Sequence, residues 1–194
     1  MSEPAPQPLL RLRPTLLSDL DFVVGVERDP HNRPFITPWE RTQHEGAIRI
    51  PDFRHFIVEA GDADDAAGGR DGFVILQGCR NPHRSVELKR LVLQRKGRGL
   101  GRRCVRLLKR MAFRDLKAHR FWLDVKSLNA RALGLYASEG FVEEGRLRES
   151  VRATVGDGTE GWDSLIVMSL LDREFEARVA LDLEDDRCPL QGKP

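Results

Sequence analysis

The sequence contains few cysteines and no long apolar run. Its 194 residues include three cysteines, Cys79, Cys104 and Cys188, which are widely spaced and form no CxxC pair. Such usage predicts reduced thiols and argues against a disulfide framework or a zinc site. No apolar stretch approaches the roughly 20 residues that a transmembrane helix needs, and the first residues, MSEPAPQPLL, lack the pattern of a secretory signal. We therefore expect a cytoplasmic protein.

Aromatic residues are also scarce, at 7% of the chain, and Tyr136 is the only tyrosine. With 40% hydrophobic and 32% charged residues, the composition is that of a globular protein, which argues against a disordered or fibrous chain. The length suits one domain. We expect a single domain over residues 9–171, a flexible lead-in at residues 1–8, and a C-terminal helix and polar tail at residues 172–194.

The charge of the chain is unevenly distributed. The net charge is +2, but residues 89–120 contain thirteen Lys or Arg and one acid, Asp115, so this segment carries +12 and the remainder −10. A concentrated basic element in an otherwise acidic protein suggests a polyanionic ligand held at one place. Nucleic acid, a phosphorylated cofactor and a merely solvated helix face all fit this pattern.

Apolar periodicity predicts a mixed α/β protein with one strand, turn, helix, strand, helix unit at its centre. Two hairpins are indicated by turn residues between alternating segments, one near the middle of the chain and one before its C-terminal helix. The predicted strands are 9–13, 53–60, 73–79, 85–93, 120–125, 145–155 and 161–171, and the predicted helices follow Ser18 and cover 40–48, 100–116, 129–139 and 172–183.

A glycine-rich turn, QRKGRGLG at residues 94–101, separates the predicted strand 85–93 from a predicted amphipathic helix. The backbone N–H groups of a first helical turn are unsatisfied and point along the helix dipole, so this turn predicts an anion site. It lacks the Lys-Ser/Thr pair of a P-loop and the last glycine of GxGxxG, which argues against a kinase or a dehydrogenase. A glycine-rich loop before a solvated basic helix remains the plainer interpretation.

A second motif follows the glycine turn. The sequence KGRGLG at residues 96–101 opens a helix, and Asn129-Ala130-Arg131-Ala132, Leu135-Tyr136 and Gly140-Phe141 come after it. In this order and spacing the chain resembles the GNAT superfamily of acetyl-CoA-dependent N-acetyltransferases. More narrowly, it is similar to the branch that contains ribosomal-protein N-terminal and spermidine acetyltransferases. The resemblance implies an α/β (α+β) fold with a central mixed, mostly antiparallel sheet of about six to seven strands flanked by helices.

The resemblance also implies a site. The family's pyrophosphate loop falls on residues 96–101, with an overlapping frame at residues 94–99, and the family bonds pantetheine through a bulge in the preceding strand. Asn129 matches a position that contacts the pantetheine arm, and Tyr136 matches one that often protonates the leaving thiolate. The implied cofactor-binding residues are Leu91, Val92, Leu93, Lys96, Gly97, Arg98, Gly99, Leu100, Gly101, Arg102, Asn129 and Tyr136.

Acetyl transfer to an amine needs a proton for the departing sulfur and an acceptor for the proton of the amine. The resemblance places Tyr136 in the first role and Glu87, on the strand before the glycine turn, in the second. Each residue also has a simpler structural alternative: a ring packed in the core for Tyr136, an ion pair with Lys89 or Arg84 for Glu87, and a helix N-cap for Asn129. The five histidines occur singly, without metal-ligand spacing, and we expect no metal.

Three functions therefore compete. The first is a transferase that uses acetyl-CoA and a protein N-terminus, a polyamine or a small-molecule amine. The exposed end of a sheet or the C-terminal tail could support a homodimer. The second is a nucleic-acid or ribosome-binding module that uses the helix at residues 102–117. The third is a catalytically silent relative that binds acyl-CoA. Glu40 is a further candidate for contact with a cationic acceptor, although an acid at a helix start is common.

Overall fold

A computed structural model describes residues 9–61, 69–97, 99–155 and 159–185. One seven-stranded sheet, in the order β1-β2-β3-β4-β5-β7-β6, dominates the fold. Its neighbouring strands are antiparallel except for β4 and β5, which are parallel. The mixed, mostly antiparallel sheet confirms the predicted fold class. The strands are β1 Leu9–Pro14, β2 Arg54–Gly61, β3 Gly69–Gln77, β4 Ser85–Leu93, β5 Arg120–Lys126, β6 Val142–Val155 and β7 Thr159–Leu171.

Helices cover both faces of the sheet. In the described parts of the chain, none of them combines the length and apolarity that crossing a membrane requires. The α-helices are α1 Leu20–Arg28, α2 Arg41–Arg49, α3 Leu100–Arg110, α4 Ala130–Ser138 and α5 Asp172–Asp185, and shorter turns of helix lie at Leu17–Asp19, Arg33–Phe35 and Met111–Asp115.

The alternation of side chains along the strands divides the core between the two faces. Leu108 of α3 and Phe121 of β5 belong to the larger core cluster, which also includes Phe175 of α5. Val23 of α1 packs with Phe73 of β3 in the smaller cluster on the opposite face. Each such side chain contributes roughly 1.5–3 kcal/mol on full burial, so the two layers hold the sheet between them.

The sheet splits between β4 and β5. Pairing between these strands covers only Ser85–Arg120, Val86–Phe121 and Glu87–Trp122, although β4 continues to Leu93 and β5 to Lys126. On their other sides both strands stay paired, β4 with β3 and β5 with β7. The two halves of the sheet therefore diverge, and the strand edges that face each other leave backbone groups available to a ligand.

Several predicted boundaries differ from those of the structure, two of them by four residues or more. The prediction starts β3 at residue 73, whereas the strand begins at Gly69, because the polar residues before Phe73 pair with β2 and the carboxylate of Asp71 is buried against Arg95. The prediction ends the third helix at residue 116, whereas α3 ends at Arg110 and a wider π-helical turn follows. The predicted turns at residues 62–68 and 156–158, and the termini at residues 1–8 and 186–194, lie outside the described residues.

The C-terminal helix packs against its own domain, as its apolar stripe predicts. Phe175 is buried and stacks on Phe113 with ring centroids 4.8 Å apart, and Val179 is partly buried against the same core. The side chain of Leu183, the third residue of the predicted stripe, lies outside the described ones.

Candidate active site

A cavity of about 920 Å³ occupies the split between β4 and β5. Its walls come from the second half of β4, the end of β5 and the first turns of α3 and α4, and its roof comes from residues 31–39, which we call the strap. Nearly all predicted cofactor-binding residues line it: Leu91, Val92, Leu93, Lys96, Gly97, Gly99, Leu100, Gly101, Arg102, Asn129 and Tyr136. Arg98 lies outside the described residues.

The start of α3 forms one end of the cavity. Gly99 is the N-cap residue and has a φ of 71°, a left-handed conformation that glycine adopts without steric cost. The N–H groups of the following first turn have no intrahelical carbonyl to bind, and the helix dipole adds positive potential at this end. Since Gly101 and Arg102 line the cavity, this end is suited to an anion.

The basic face of α3 is anchored to α4 through one carboxylate. Glu139, with a side chain only 3% exposed, accepts hydrogen bonds from Lys109 at 2.8 Å, Arg102 at 2.8 Å and Arg106 at 3.1 Å. Burial opposes ionisation of this carboxyl, but the hydrogen bond and charge of Lys109, aided by both arginines, outweigh burial and lower the pKa of Glu139. Three of the cations that suggested a polyanionic ligand therefore have an internal partner.

The open edge of β4 forms a second wall. A bulge interrupts the β3–β4 pairing, because Ile75 faces Arg90 and Leu76 faces Leu88, so Lys89 is the extra residue. The resemblance implies a bulge around residues 91–93, whereas the structure has it slightly earlier in the strand. Pairing of β4 with β5 ends at Glu87, two residues before Lys89, so the bulge lies where the two strands begin to diverge.

Two motif residues on and before α4 face the same cavity. The Asn129 side chain accepts a hydrogen bond from the Ala132 N–H at 3.1 Å, so it caps α4, while the residue also lines the cavity. Tyr136 packs its ring against Phe141, with centroids 5.6 Å apart. In the described part of the chain every fully buried side-chain polar atom has a partner. Since the Tyr136 hydroxyl forms no hydrogen bond with a described residue, it is open to the cavity, and burial of the ring raises the pKa of the phenol.

Glu87 does not line the cavity. Its side chain is buried on β4 and accepts a hydrogen bond from Lys89 at 3.0 Å, the pairing that the simpler interpretation of the sequence predicted. Burial raises the pKa of Glu87, and the lysine opposes this effect. The carboxylate that does face the cavity is Asp124 of β5, whose charge also contributes to the raised pKa of both Glu87 and Tyr136.

Sequence reasoning missed Asp124 as a site residue, although one signal was present. The strand RFWLDVK is otherwise apolar or basic, so an acid within it stands out. Its alternation places Asp124 on the same face as Trp122 and Lys126, opposite the face that packs on α3. Nothing in the linear sequence shows that β4 stops pairing with this part of β5, which is what exposes Asp124.

The strap was also missed. Three of its backbone carbonyls accept hydrogen bonds from cations of the opposite walls: His31 from Lys96 at 2.6 Å, Pro34 from Lys126 at 3.1 Å and Thr37 from Arg90 at 2.9 Å. These bonds join the glycine turn, β5 and β4 to one segment. The strap therefore closes the cavity from the α1 side of the sheet.

A buried polar network holds the C-terminal end of the strap. Glu27 of α1, with a fully buried side chain, accepts hydrogen bonds from the Trp39 N–H at 2.7 Å and from Arg90 at 3.2 Å. His44 lies 3.3 Å from Glu27 and 3.1 Å from His55. Predicted as structural or surface residues, these two histidines are structural.

The split sheet, a helix start suited to an anion and the open tyrosine fit an acyl-CoA-dependent transferase of the class that the sequence resembles. The family comparison agrees, since residues 10–142 match the acetyltransferase (GNAT) domain. The chain belongs to this family. Its activity is acetyl transfer to an amine, for which GNAT acetyltransferases use acetyl-CoA as the co-substrate.

Curated relatives and solved structures support the same assignment. The chain is 28% identical over 151 residues to a spermidine N(1)-acetyltransferase of Vibrio cholerae, covering 72% of this chain and 83% of that protein. It is 26% identical over 149 residues to the Escherichia coli K12 enzyme of the same name, covering 71% and 75%. A dodecameric spermidine N-acetyltransferase structure from Vibrio cholerae matches with a TM-score of 0.69 and 26% identity, covering 87% of this chain and 97% of that chain.

Proposed function

We propose that the cavity between β4 and β5 binds acetyl-CoA and that Tyr136 donates the proton that the departing thiolate needs. The observation that carries this proposal is the convergence of three independent elements on one cavity. These are the start of α3, the open edge of β4 and the exposed Tyr136 hydroxyl. The resemblance implied the same three elements from separate stretches of sequence.

The residues present fit acetyl-CoA. The start of α3 supplies N–H groups and a positive dipole end for the pyrophosphate, with Lys96 and Arg102 beside it. β4 is unpaired with β5 beyond Glu87, so its edge near Leu91 offers backbone groups to an amide-containing arm, in the way that one strand pairs with another. The next carbonyl along this wall, that of Leu93, accepts a hydrogen bond from the Asn32 side chain at 3.4 Å. We propose that Asn129, while capping α4, lies beside that arm.

Acetyl-CoA, when bound, supplies a thioester whose carbonyl carbon an amine attacks, so that a C–N bond forms as the C–S bond breaks. The raised pKa of Tyr136 keeps its proton on the phenol until it is transferred. The proton that the amine loses needs a carboxylate. We propose Asp124, which faces the cavity, as the acceptor of this proton. Glu87, whose pKa the charge of Asp124 helps to raise, is the second carboxylate that we propose for this role.

Other sequence predictions belong to the same proposal. We propose one transferase domain over residues 9–171, on which α5 packs, in a protein of the cytoplasm. We also propose a homodimer. The edge strand β6 carries two exposed apolar side chains, Val142 at 56% and Leu147 at 50% exposure. On the neighbouring strand β7, Trp162 is 57% exposed. Apolar side chains on an open strand edge fit a second copy of the chain.

The proposal is tested by calorimetric titration of acetyl-CoA into the full chain, with ATP as a control ligand. We expect micromolar binding by the wild type. Gly99→Glu should abolish this binding, because it places a carboxylate at the anion-binding end of α3.

Gly99→Ala is the matched control. A Cβ at this position meets no atom within 4 Å, so alanine introduces only the strain of a left-handed residue, roughly 1 kcal/mol. We expect the alanine variant to keep most of the affinity. Equal loss in both variants, or no binding by the wild type, would contradict the proposed cofactor site.

A further inference from the structure

The walls of the cavity are strongly basic. Among the described residues that line it, seven are Lys or Arg and one, Asp124, is acidic. A polyamine carries several positive charges, so a cavity made for one would present an excess of carboxylates to it. The seven basic residues are Lys89, Arg90, Arg95, Lys96, Arg102, Lys126 and Arg131.

Four of these cations are neutralised by carboxylates that lie behind the walls and do not line the cavity. Each pair joins a wall residue to an acid on a neighbouring element, so these charges are satisfied within the protein. The pairs are Lys89 with Glu87, Arg90 with Glu27, Arg95 with Asp71, and Arg102 with Glu139.

Two of the remaining cations belong to the phosphate end. Lys96 lies in the glycine turn and donates to the His31 carbonyl, and the charge of Arg131 contributes to a lowered pKa of Lys96, after burial. Two like charges that act on each other at the start of α3 are suited to the phosphates of the cofactor.

Lys126 is the cation that the cofactor does not explain. It lies at the end of β5, only 6% exposed, and its ammonium donates to the neutral Pro34 carbonyl. Among the described residues no carboxylate lies within ion-pair distance of it. The charge of Asp163 acts on it, but that carboxylate accepts hydrogen bonds from Ser127 and Ser164. Burial and the charge of Arg90 lower the pKa of Lys126.

Asp124 and Lys126 stand side by side in the cavity. Residues two apart on a strand lie on the same face, about 6.6 Å from each other. An ammonium beside Asp124 and an anion beside Lys126 would therefore belong to one small molecule, or to one end of a peptide.

From this arrangement we infer that the acceptor amine also carries a carboxylate, and that Lys126 binds this carboxylate while Asp124 receives the amine. The inference rests on the proposed transferase function and narrows its substrate class to amino acids or acidic peptide N-termini. The carboxylate of such an acceptor would give the buried Lys126 an anionic partner. A polyamine has no carboxylate and would bring further positive charge next to Lys126, so polyamines are disfavoured as acceptors.

The test uses acetyl-CoA, the full chain and matched acceptor pairs, with thiol release as the readout. Each pair differs only by carboxylate against carboxamide: alanine and alaninamide, aspartate and asparagine, Ala-Glu and Ala-Gln. Spermidine is added as a polycationic acceptor. We expect at least a tenfold higher kcat/KM for the carboxylate member of at least one pair, and lower values for spermidine.

Lys126→Met should reduce that preference to less than about threefold, whereas Lys126→Arg should retain much of it. Comparison of the same pair between variants cancels any difference in amine pKa within the pair. Lys117→Met, an exposed lysine remote from the cavity walls, is the control and should keep the wild-type preference.

Acetyl transfer with spermidine or the carboxamides as better acceptors would overturn the inference while leaving the transferase intact. A carboxylate preference that survives in Lys126→Met would also overturn the assignment of Lys126. Failure of the wild type to bind acetyl-CoA would instead overturn the proposed function. If Lys126→Met does not fold, the wild-type ratios alone decide the substrate class.

Discussion

At the scale of single residues, Tyr136 shows how packing and chemistry coincide. Its ring belongs to the core beside Phe141, and its hydroxyl is open to the cavity. The phenol is therefore held rigidly by apolar contacts that do not use its oxygen. The burial that fixes the ring also raises the pKa of Tyr136, which keeps the proton available over the working pH range.

Tyr136→Phe separates these two roles. Phenylalanine retains the contact with Phe141, so we expect little change in stability or in KM for acetyl-CoA. The loss of the proton donor should lower kcat by about 100-fold or more. The release of the CoA thiol, measured in stopped assays between pH 7 and pH 10, gives kcat for the wild type and for Tyr136→Phe.

The pH profile carries a second expectation for Tyr136. Since the pKa of the phenol lies above the ordinary value near 10, deprotonation of this group should not reduce the wild-type kcat below pH 10. If Tyr136→Phe instead had the kcat of the wild type, another group, or water, would be the proton donor to the sulfur.

At the scale of elements, Glu139 decides how α3 and α4 meet. It follows the last turn of α4 and binds three cations on one face of α3, while the Lys109 ammonium also donates to the Glu139 backbone carbonyl at 2.8 Å. Both helices bring residues to the cavity, so this one carboxylate sets the relative position of the glycine turn and Tyr136.

Glu139→Gln should destabilise the protein by about 3 kcal/mol, because it leaves the buried Lys109 without a counter-ion. Urea denaturation at neutral pH measures the free energy of unfolding. Adding Lys109→Met to Glu139→Gln removes the unpaired charge, so we expect the double variant to recover part of the loss. If the losses of unfolding free energy from Glu139→Gln and Lys109→Met simply added up in the double variant, Glu139 and Lys109 would not be energetically coupled.

At the scale of the whole molecule, one hydrogen-bonded chain joins four elements around the sheet. It runs from Glu27 of α1 through His44 of α2 and His55 of β2 to Thr15, which follows β1. Burial, followed by the charge of His44, lowers the pKa of His55 to about 3. The folded protein therefore holds this imidazole neutral at pH values at which an unfolded chain would protonate it.

This difference predicts acid sensitivity. Below an unfolded pKa of about 6.5 the unfolded state binds a proton that folded His55 refuses, so stability falls as the pH decreases from about 6.5 toward 3. Between pH 7.5 and pH 5.0 this one residue should remove about 2 kcal/mol. His55→Gln should lower the free energy of unfolding at pH 7.5. It should also reduce the difference in unfolding free energy between pH 7.5 and pH 5.0 by about 2 kcal/mol. Urea titrations at both pH values measure the two effects. An unchanged slope would assign the acid sensitivity to other groups.

The basic segment has a different meaning in the folded molecule from the one that its charge alone suggested. Of its thirteen Lys and Arg residues, eight are paired with carboxylates in the described structure. This pairing favours the transferase over the nucleic-acid-binding module. The eight are Lys89, Arg90, Arg95, Arg102, Arg106, Lys109, Arg114 and Arg120.

Local patterns in the sequence predicted most of the fold. The strand at Ser85–Leu93 was predicted to the residue, because its alternation and the following glycines are both local signals. The end of α3 was not, because the apolar periodicity continues to Leu116 and gives no sign of the π-helical turn after Arg110. Asn129 and Tyr136, which line the cavity, were singled out because the sequence resembles the GNAT family.

The parts of the site that were missed depend on contacts distant in sequence. The hydrogen bond from Lys126 to the Pro34 carbonyl joins residues 92 positions apart, and the link between His44 and Glu27 crosses from one helix to another. No periodicity or local motif reports such contacts. Asp124 is exposed to the cavity only because β4 and β5 diverge.

Three anchors of the strap use only its backbone carbonyls, and this has a consequence for how the enzyme can diversify. Lys96, Arg90 and Lys126 all bind carbonyl oxygens of residues 31–37, groups that every amino acid provides. Phe35 and Ile36, which help to line the cavity, can therefore be exchanged without removing these three carbonyls. Exchange of Phe35 removes only the contact of its ring with the Lys96 ammonium, which lies 5.9 Å from the ring centroid. Natural variation among descendants of this protein should accumulate at these two positions first, altering which acceptor is taken while the cofactor end stays constant.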